Sequence, residues 1–490
     1  MPSRAVVWFR RDLRVADHPA LLAALDAADQ VVPVFVVDRT LLDGRPSGPN
    51  RRAFLHGALR SLAGDLEALG GRLLVREGDP VQVIPAVARA FAADSVWCSR
   101  DLTPYARRRD TAVERALGAD GRTLHGLPGN YLSDFDEVHT TSGDPFRIYS
   151  PFARAAKADG WDDPLPAPAR VPVPDEPGRG GAGEVGGEAG GFDLEGAVEI
   201  TPPDPAAALR RLEWFVANRV DGYGRARNVM AADGTSRLSP YLRFGLISPR
   251  QVAAAVKATG VGGDGRRRSA EHPRWAGDRE TFVNELLWRD FYAYVLYHQP
   301  GSAWAHMRPE FAHFGFEDDP DGLAAWREGR TGYPLVDAGM RQLTGQGWVH
   351  NRARLVVASF LTKHLLIDWR EGARFFLRHL MDGDLPSNNG GWQWVAGTGT
   401  DAAPYYRIFN PMTQAERFDP EGEYIHRWVP ELAKLPAPAV FAPWQAASSD
   451  LEAAGVRLGT DYPRPIVDHR RARDRALARY QEASSRGGAP

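Results

Sequence analysis

The sequence predicts an α/β N-terminal domain with a doubly wound parallel sheet, followed by a mainly α-helical C-terminal domain. Three observations carry that prediction. Short β-branched runs alternate strictly with amphipathic stretches through the first third, a segment dense in Pro, Gly and Ala follows, and helical periodicity takes over from Pro205 onward. Strict alternation implies parallel pairing, because only a crossover helix returns the next strand in the same direction. The chain has 490 residues, roughly three units of about 150 residues each. The expected boundaries are 1–130 for the α/β domain, 131–205 for an interdomain linker, 206–480 for the helical domain and 481–490 for a flexible tail.

The buried strands are read at Ala5 to Phe9, Val31 to Val37, Arg72 to Arg76, Ser95 to Ser99 and Thr123 to Leu127. Helical patterns separate them at Pro19 to Ala28, Arg51 to Leu69, Val81 to Ala92 and Ala106 to Leu117. Ligands of such sheets sit beyond the carboxyl ends of the strands, which singles out the loops at Phe9 to Arg14, Val37 to Arg45 and Ser99 to Tyr105. Those loops carry neither a G-x-G-x-x-G nor a G-x-x-x-x-G-K-[ST] pattern, which disfavours a dinucleotide cradle or an NTPase phosphate loop there. Residues 162 to 206, including Gly178 to Gly191, hold few large apolar side chains and read as linker. Amphipathic segments follow at 206 to 220, 281 to 298, 322 to 328, 334 to 345, 348 to 366 and 370 to 380.

Lys and Arg number 60 against 62 Asp and Glu, a formal charge of -2, so any basic face must be local. The single cysteine, Cys98, excludes an intramolecular disulfide and a cysteine-cluster metal site, and fits a reducing setting. No apolar run approaches the roughly 18 residues that cross a bilayer. A soluble, unprocessed, cytoplasmic monomer without a metal or a membrane partner is therefore expected.

Four segments gather chemistry. Gly234-Thr-Ser-Arg-Leu-Ser-Pro-Tyr241 packs three Ser and Thr hydroxyls and a guanidinium before a helical run, which suits either a phosphate oxyanion or a plain helix cap. Glu285, Trp288, Arg289 and Tyr292 share one helical face, as a planar hydrogen-bonding ligand or a partly buried ion pair would require. Asn351, Arg354 and Leu355 share another, with Arg352 turned away, and Asn351 matches the edge of a base. Asp382-Gly-Asp-Leu-Pro-Ser-Asn-Asn-Gly-Gly-Trp392-Gln-Trp394 reads as a loop-like segment joining two acids, three amides, three glycines and two tryptophans.

With these runs in view, the sequence resembles the photolyase/cryptochrome family, and within it the class I cyclobutane pyrimidine dimer photolyases. The resemblance runs from Trp8-Phe-Arg-Arg-Asp-Leu-Arg14 to Ile408-Phe-Asn-Pro411, through Asn284 to Tyr292, Gly332 to Met340 and Trp348-Val-His-Asn-Arg352. It implies FAD held in a U shape in the helical domain. Tyr223, Thr235, Ser236, Arg237, Leu238 and Ser239 would contact its phosphates and sugar, while Asn351, Arg354, Asp382, Asp384 and Asn388 would surround the ring system. Arg354 and Asp382 would form a charge pair beside the ring, favouring the electron-rich reduced form.

The implied reaction is that of a carbon–carbon lyase. Excited reduced flavin passes an electron to a pyrimidine dimer flipped out of UV-damaged DNA, the cyclobutane ring splits, and the electron returns. Glu285 and Asn351 would hydrogen-bond the dimer, Glu285 also stabilising charge that develops on the base, and Trp288 and Trp394 would wall it. Arg227, Arg352 and Arg407, with Trp288, would face DNA. Asn351 stands where (6-4) photolyases carry a catalytic histidine, and Asn388 stands near flavin N5 where plant cryptochromes carry Asp. The alternatives kept are a cryptochrome-like blue-light photoreceptor and, behind it, a (6-4) photolyase; the chain lacks the long tail common in signalling cryptochromes. Leu355 replaces a frequent Met. Trp392 and Trp369 match the inner members of the family's electron-transfer chain, whereas Phe316 falls at the outer tryptophan, so a hole would leave through another aromatic such as Trp304 or Trp326. For the antenna, Ala106 lacks the acid used by folate-binding members, and Arg51 with Asp101 points to 8-hydroxy-5-deazaflavin, with 5,10-methenyltetrahydrofolate or no antenna as alternatives.

Overall fold

Five parallel strands form one sheet: β1 (Arg4–Phe9), β2 (Gln30–Val37), β3 (Leu74–Glu77), β4 (Ser95–Ser99) and β5 (Thr123–Leu127), in the order β3-β2-β1-β4-β5. Ala5, Val6, Val7, Trp8 and Phe9 of the central β1 are all buried, as a strand covered on both faces requires. The intervening helices Pro19–Ala27, Pro49–Ala68, Pro80–Ala90 and Pro104–Ala119 each begin on proline, whose missing N–H is no loss in a first turn. His18, Asp79 and Thr103 cap three of them through side-chain acceptors.

The strand order reverses between β1 and β4, and the loops after them hold a buried polar network. Arg14 donates to the carbonyls of Asp17, Gly129 and Gly245, and His18 lies 3.0 Å from Asp12. Arg14, bonded to three loop carbonyls, fixes the loops.

The computed structural model describes residues 2–44, 47–175, 192–257, 273–400 and 406–486. It divides into two compact units, Met1–Asp221 with Ser236–Pro300, and Gly222–Thr235 with Gly301–Pro490. Residues 236–300, expected in the helical domain, thus pack with the sheet's unit. The segment expected as linker, 131–205, contains the helix Tyr149–Asp159, because Phe152 is buried against Phe291 and Tyr294 of the long helix Pro273–His298. Gly178 to Gly191 and the last four residues lie outside the described residues, as does Arg45, while 481–486 continue the helix His469–Arg486 rather than starting a tail.

The second unit is helical around a core that includes Trp326, Tyr333, Val357, Phe360, Trp369, Phe376 and Trp392. The helix expected over 348–366 begins at Asn351, where the His350 side chain accepts from the Arg352 N–H, and widens into a π turn at Phe360–His364. The segment read as loop-like is helical from Leu385 to Ala396. Gly and Asn are poor helix formers by about 0.5 to 1 kcal/mol each, and here tertiary packing overrides them. No helix among the described residues is long and apolar enough to cross a membrane.

Asp290 ties the long helix of the first unit to the chain before it. Its carboxylate accepts from the N–H groups of Leu132 and Ser133 at 2.8 and 2.9 Å, with its other oxygen buried, without a hydrogen-bond partner and 3.9 Å from Arg289 Nη1. Burial pushes its pKa up to about 7. Between roughly pH 4 and pH 7 the folded chain therefore holds a proton that the unfolded chain has released, and stability falls as pH rises through that window. Asp290→Asn keeps an acceptor for both N–H groups and removes the titration. Denaturant midpoints should fall for the parent between about pH 5 and about pH 8 and change less for the variant; parallel profiles would count against this assignment.

Candidate functional site

In the second unit, Arg354 of the helix Asn351–Ser359 donates from Nη2 to Asp382 Oδ2 at 2.8 Å and from Nε to the Val349 carbonyl at 2.9 Å. Asp382 is buried, and its Oδ1 has no hydrogen-bond partner. A buried carboxylate oxygen without a donor is costly, so this atom marks a place where a ligand N–H fits. Two residues on, Asp384 stands at the cap position of the helix Leu385–Ala396 and accepts from Ser387 Oγ at 3.0 Å. Asn388 is half-buried on the first turns of that helix, donating from Nδ2 to the Ala373 carbonyl at 3.1 Å. Asn351 is exposed at the start of its helix, and Leu355 is half-buried against the core.

Arg352 is turned away from this group, as expected. It donates to Asn228 Oδ1 at 2.6 Å and covers the Phe418 ring at 4.1 Å. Burial lowers its pKa, helped by the neighbouring charges of Arg227, Arg417 and Arg407. Arg227, Arg407 and Arg417 therefore stand near enough to Arg352 for their charges to act on it. Tyr223 is buried with the Arg227 guanidinium 5.6 Å from its ring centre, and Thr235 is half-buried.

A cleft in the same unit is lined by Trp394, Arg407 and Lys363 among others, bringing together two residues named from sequence and one that was missed. Lys363 donates to the Arg407 carbonyl and sits 4.1 Å over the Tyr406 ring. Burial, aided by Arg407, pulls its pKa down to about 7. The sequence signal was a lysine placed among Phe360, Leu361, Leu365 and Leu366.

The aromatic chain has an unexpected geometry. Trp369 meets His306 edge-on at 6.2 Å, and His306 stacks on Phe316 at 6.0 Å, so an imidazole stands beside the position where a tryptophan was missing. Burial pulls His306 down to about 4, which keeps it neutral. Trp392 instead has Trp326 at 6.1 Å and Phe376 at 5.0 Å. Trp326 is fully buried with its indole N–H on the Val357 carbonyl, and Trp304 lies under the Arg374 guanidinium.

In the first unit, Trp288 stacks on Tyr149 at 3.7 Å with the rings 7° from parallel, and the Tyr149 hydroxyl donates to the Asn284 carbonyl. Tyr149 was missed because the segment holding it read as linker. Glu285 is half-buried one turn before Trp288. Arg289, read on the same stripe, is engaged by the Asn130 and Leu242 carbonyls and so serves the fold. Leu238 occupies the cap position of the helix Ser239–Phe244 without capping it, the Ser236 carbonyl accepts from Arg211, and Arg237 has a φ of 52°. Ser239 is exposed and Leu238 buried. Burial would raise the Asp101 pKa, but Arg11, Arg10 and Arg109 outweigh it and hold the carboxyl below its ordinary value; Arg51 is half-buried.

Two family models match this chain: DNA photolyase over residues 5–170, and the FAD binding domain of DNA photolyase over residues 282–482. The deoxyribodipyrimidine photo-lyase of Streptomyces griseus is 40% identical over 490 residues, covering 98% of this chain and 99% of that protein. The chain belongs to the DNA photolyase family. Among solved structures, a bacterial class III photolyase from Agrobacterium tumefaciens superposes with a TM-score of 0.89 at 37% identity, covering 99% of this chain and 98% of that one. A Synechocystis cryptochrome follows at 0.87 and 31%, covering 98% and 99%. The family's cofactor fits the donor set seen in the second unit: an unspent buried acceptor on Asp382, a fixed guanidinium beside it and the Asn388 amide.

Gly372 makes the helix contact at this site possible, since a Cβ there would fall 2.1 Å from Trp392 Cη2. Gly372→Ala should cost about 1 to 3 kcal/mol of stability by overpacking and shift tryptophan fluorescence. An unchanged denaturation midpoint would show that the two helices part freely.

Proposed function

We propose that this chain is a light-driven DNA repair enzyme that splits cyclobutane pyrimidine dimers. The observation that carries the proposal is the Asp382–Arg354 pair with its unspent carboxylate oxygen, a built place for flavin in a chain whose relatives include deoxyribodipyrimidine photo-lyases. FAD, when bound and reduced, supplies a light-excitable donor of one electron. Asp382 accepts a hydrogen bond from the ring, Arg354 favours its negative charge, and Asn388 meets its edge. Tyr223, Thr235, Ser236, Arg237, Leu238 and Ser239 bind its phosphates and sugar, and Asp384 supports the ring site. Glu285 and Asn351 hydrogen-bond the dimer, Trp288 and Trp394 wall it, and Arg227, Arg352 and Arg407 neutralise DNA phosphates. The stacking of Trp288 on Tyr149 supports a rigid wall, since the indole is held in one orientation before substrate arrives.

A flavin-binding photoreceptor is the second reading, favoured by the cryptochrome likeness. Illuminating the reduced protein with an oligonucleotide that contains a thymine dimer should restore the absorbance of the intact thymine rings. No recovery with flavin fully reduced hands the case to the photoreceptor. Glu285→Ala should lose most of the repair yield and keep its FAD. An 8-hydroxy-5-deazaflavin antenna, a folate or none is read from an absorption band separate from oxidised flavin. A monomer in the reducing cytoplasm completes the reading.

Binding to damaged DNA should weaken steeply with salt, and Arg407→Ala should reduce the slope of log affinity against log salt by about 1. An unaltered slope would remove Arg407 from the interface. Light-driven reduction of oxidised flavin should slow in Trp392→Phe, and in Trp326→Phe more than in Trp304→Phe, given the 6.1 Å approach of Trp326 to Trp392. Equal rates in the two outer variants would point the hole elsewhere.

A further inference from the structure

Asn389 lies beside a residue assigned to flavin but is itself only 2% exposed, in the interior of a helix. Both ends of its amide are engaged. Nδ2 donates to the Ala303 carbonyl, and Oδ1 accepts from Asn388 Nδ2 at 2.9 Å. Asn388 Nδ2 donates again, to the Ala373 carbonyl at 3.1 Å. Backbone carbonyls only accept, so the two at Ala303 and Ala373 dictate the orientation of both amides. Flipping Asn389 would set its oxygen against the Ala303 oxygen, and flipping Asn388 would set its oxygen against those of Ala373 and Asn389. The anchor is itself held, because Gln393, one turn after Asn389, donates from Nε2 to the Ser302 carbonyl at 3.0 Å. The close helix approach allowed by Gly372 brings its neighbour Ala373 into reach.

We propose that Asn389 is a positioning residue that locks the Asn388 amide with its carbonyl oxygen, and never its amino group, presented to the flavin. This rests on the reading that Asn388 faces FAD. A presented carbonyl accepts from the ring N–H that flavin gains on reduction and finds no such donor in the oxidised ring. The lock therefore favours the reduced state needed for repair.

The test is the two-electron midpoint potential of bound FAD, with FAD content measured alongside, in the full-length holoprotein. Asn388→Ala and Asn389→Ala should each lower the potential by roughly a tenfold change in the reduced-to-oxidised ratio, about 30 mV for a two-electron couple. The double variant should match Asn388→Ala alone, because Asn389 acts through Asn388; a structural role would add. Asn389→Asp keeps an oxygen that accepts from Asn388 Nδ2 in either protonation state, so its potential should stay closer to the parent than that of Asn388→Ala. That variant carries the test if Asn389→Ala fails to retain flavin. A parent-like potential in Asn389→Ala beside a shifted Asn388→Ala, or an additive double variant, overturns the proposal. A parent-like potential in Asn388→Ala overturns the placement of Asn388 itself, and this proposal with it.

Discussion

Burying a carboxylate with one oxygen paired and the other idle costs free energy, which a charge beside it and a donor on the idle oxygen offset, and Asp382 has the charge in Arg354 and an oxygen open to a donor. Its partner is held from two directions. The Arg354 Nε is pinned by the Val349 carbonyl, and the Met381 N–H donates to the Gly347 carbonyl at 2.8 Å, so the loops before the two helices are tied to each other. Gly347 closes its helix at a φ of 62°, a conformation that glycine adopts without strain. The ion pair is thus set by backbone geometry.

The packing behind it follows the same logic. Gly372 lets one helix lie against Trp392 of another, at a distance that no side chain would permit. That approach buries Trp392 among Trp326 and Phe376 and sets the Ala373 carbonyl against Asn388. A buried tryptophan pair and a side-chain amide contact therefore depend on one absent methyl group. His306 between Trp369 and Phe316 shows a different economy, with a neutral ring filling space where no oxidisable side chain stands.

The strands were legible because apolar runs bounded by turn residues leave little choice, and β4 and β5 fall where they were read. The helix Leu385–Ala396 was not, since Asn-Asn-Gly-Gly argues locally against a helix and only the opposing surface reverses that preference. Tyr149 was hidden by the composition of its surroundings, and Asn389 by its neighbour, whose match to a known motif drew attention from the amide that orients it. Lys363 carried a signal, a cation close to several leucines, that spacing alone does not interpret. Which residues share a helix face was readable from the sequence; which polar atoms remain unspent was not, because that depends on partners far along the chain.

Flavin held through the unspent oxygen of Asp382 is the central element of the proposed function. Titrating flavin-free protein with FAD measures this most directly, comparing the parent with Asp382→Ala at matched helical content. Removing a charged hydrogen-bond partner should weaken binding by about tenfold or more, from the roughly 1.5 to 3 kcal/mol such bonds contribute. Equal affinity in the two proteins would contradict the claim.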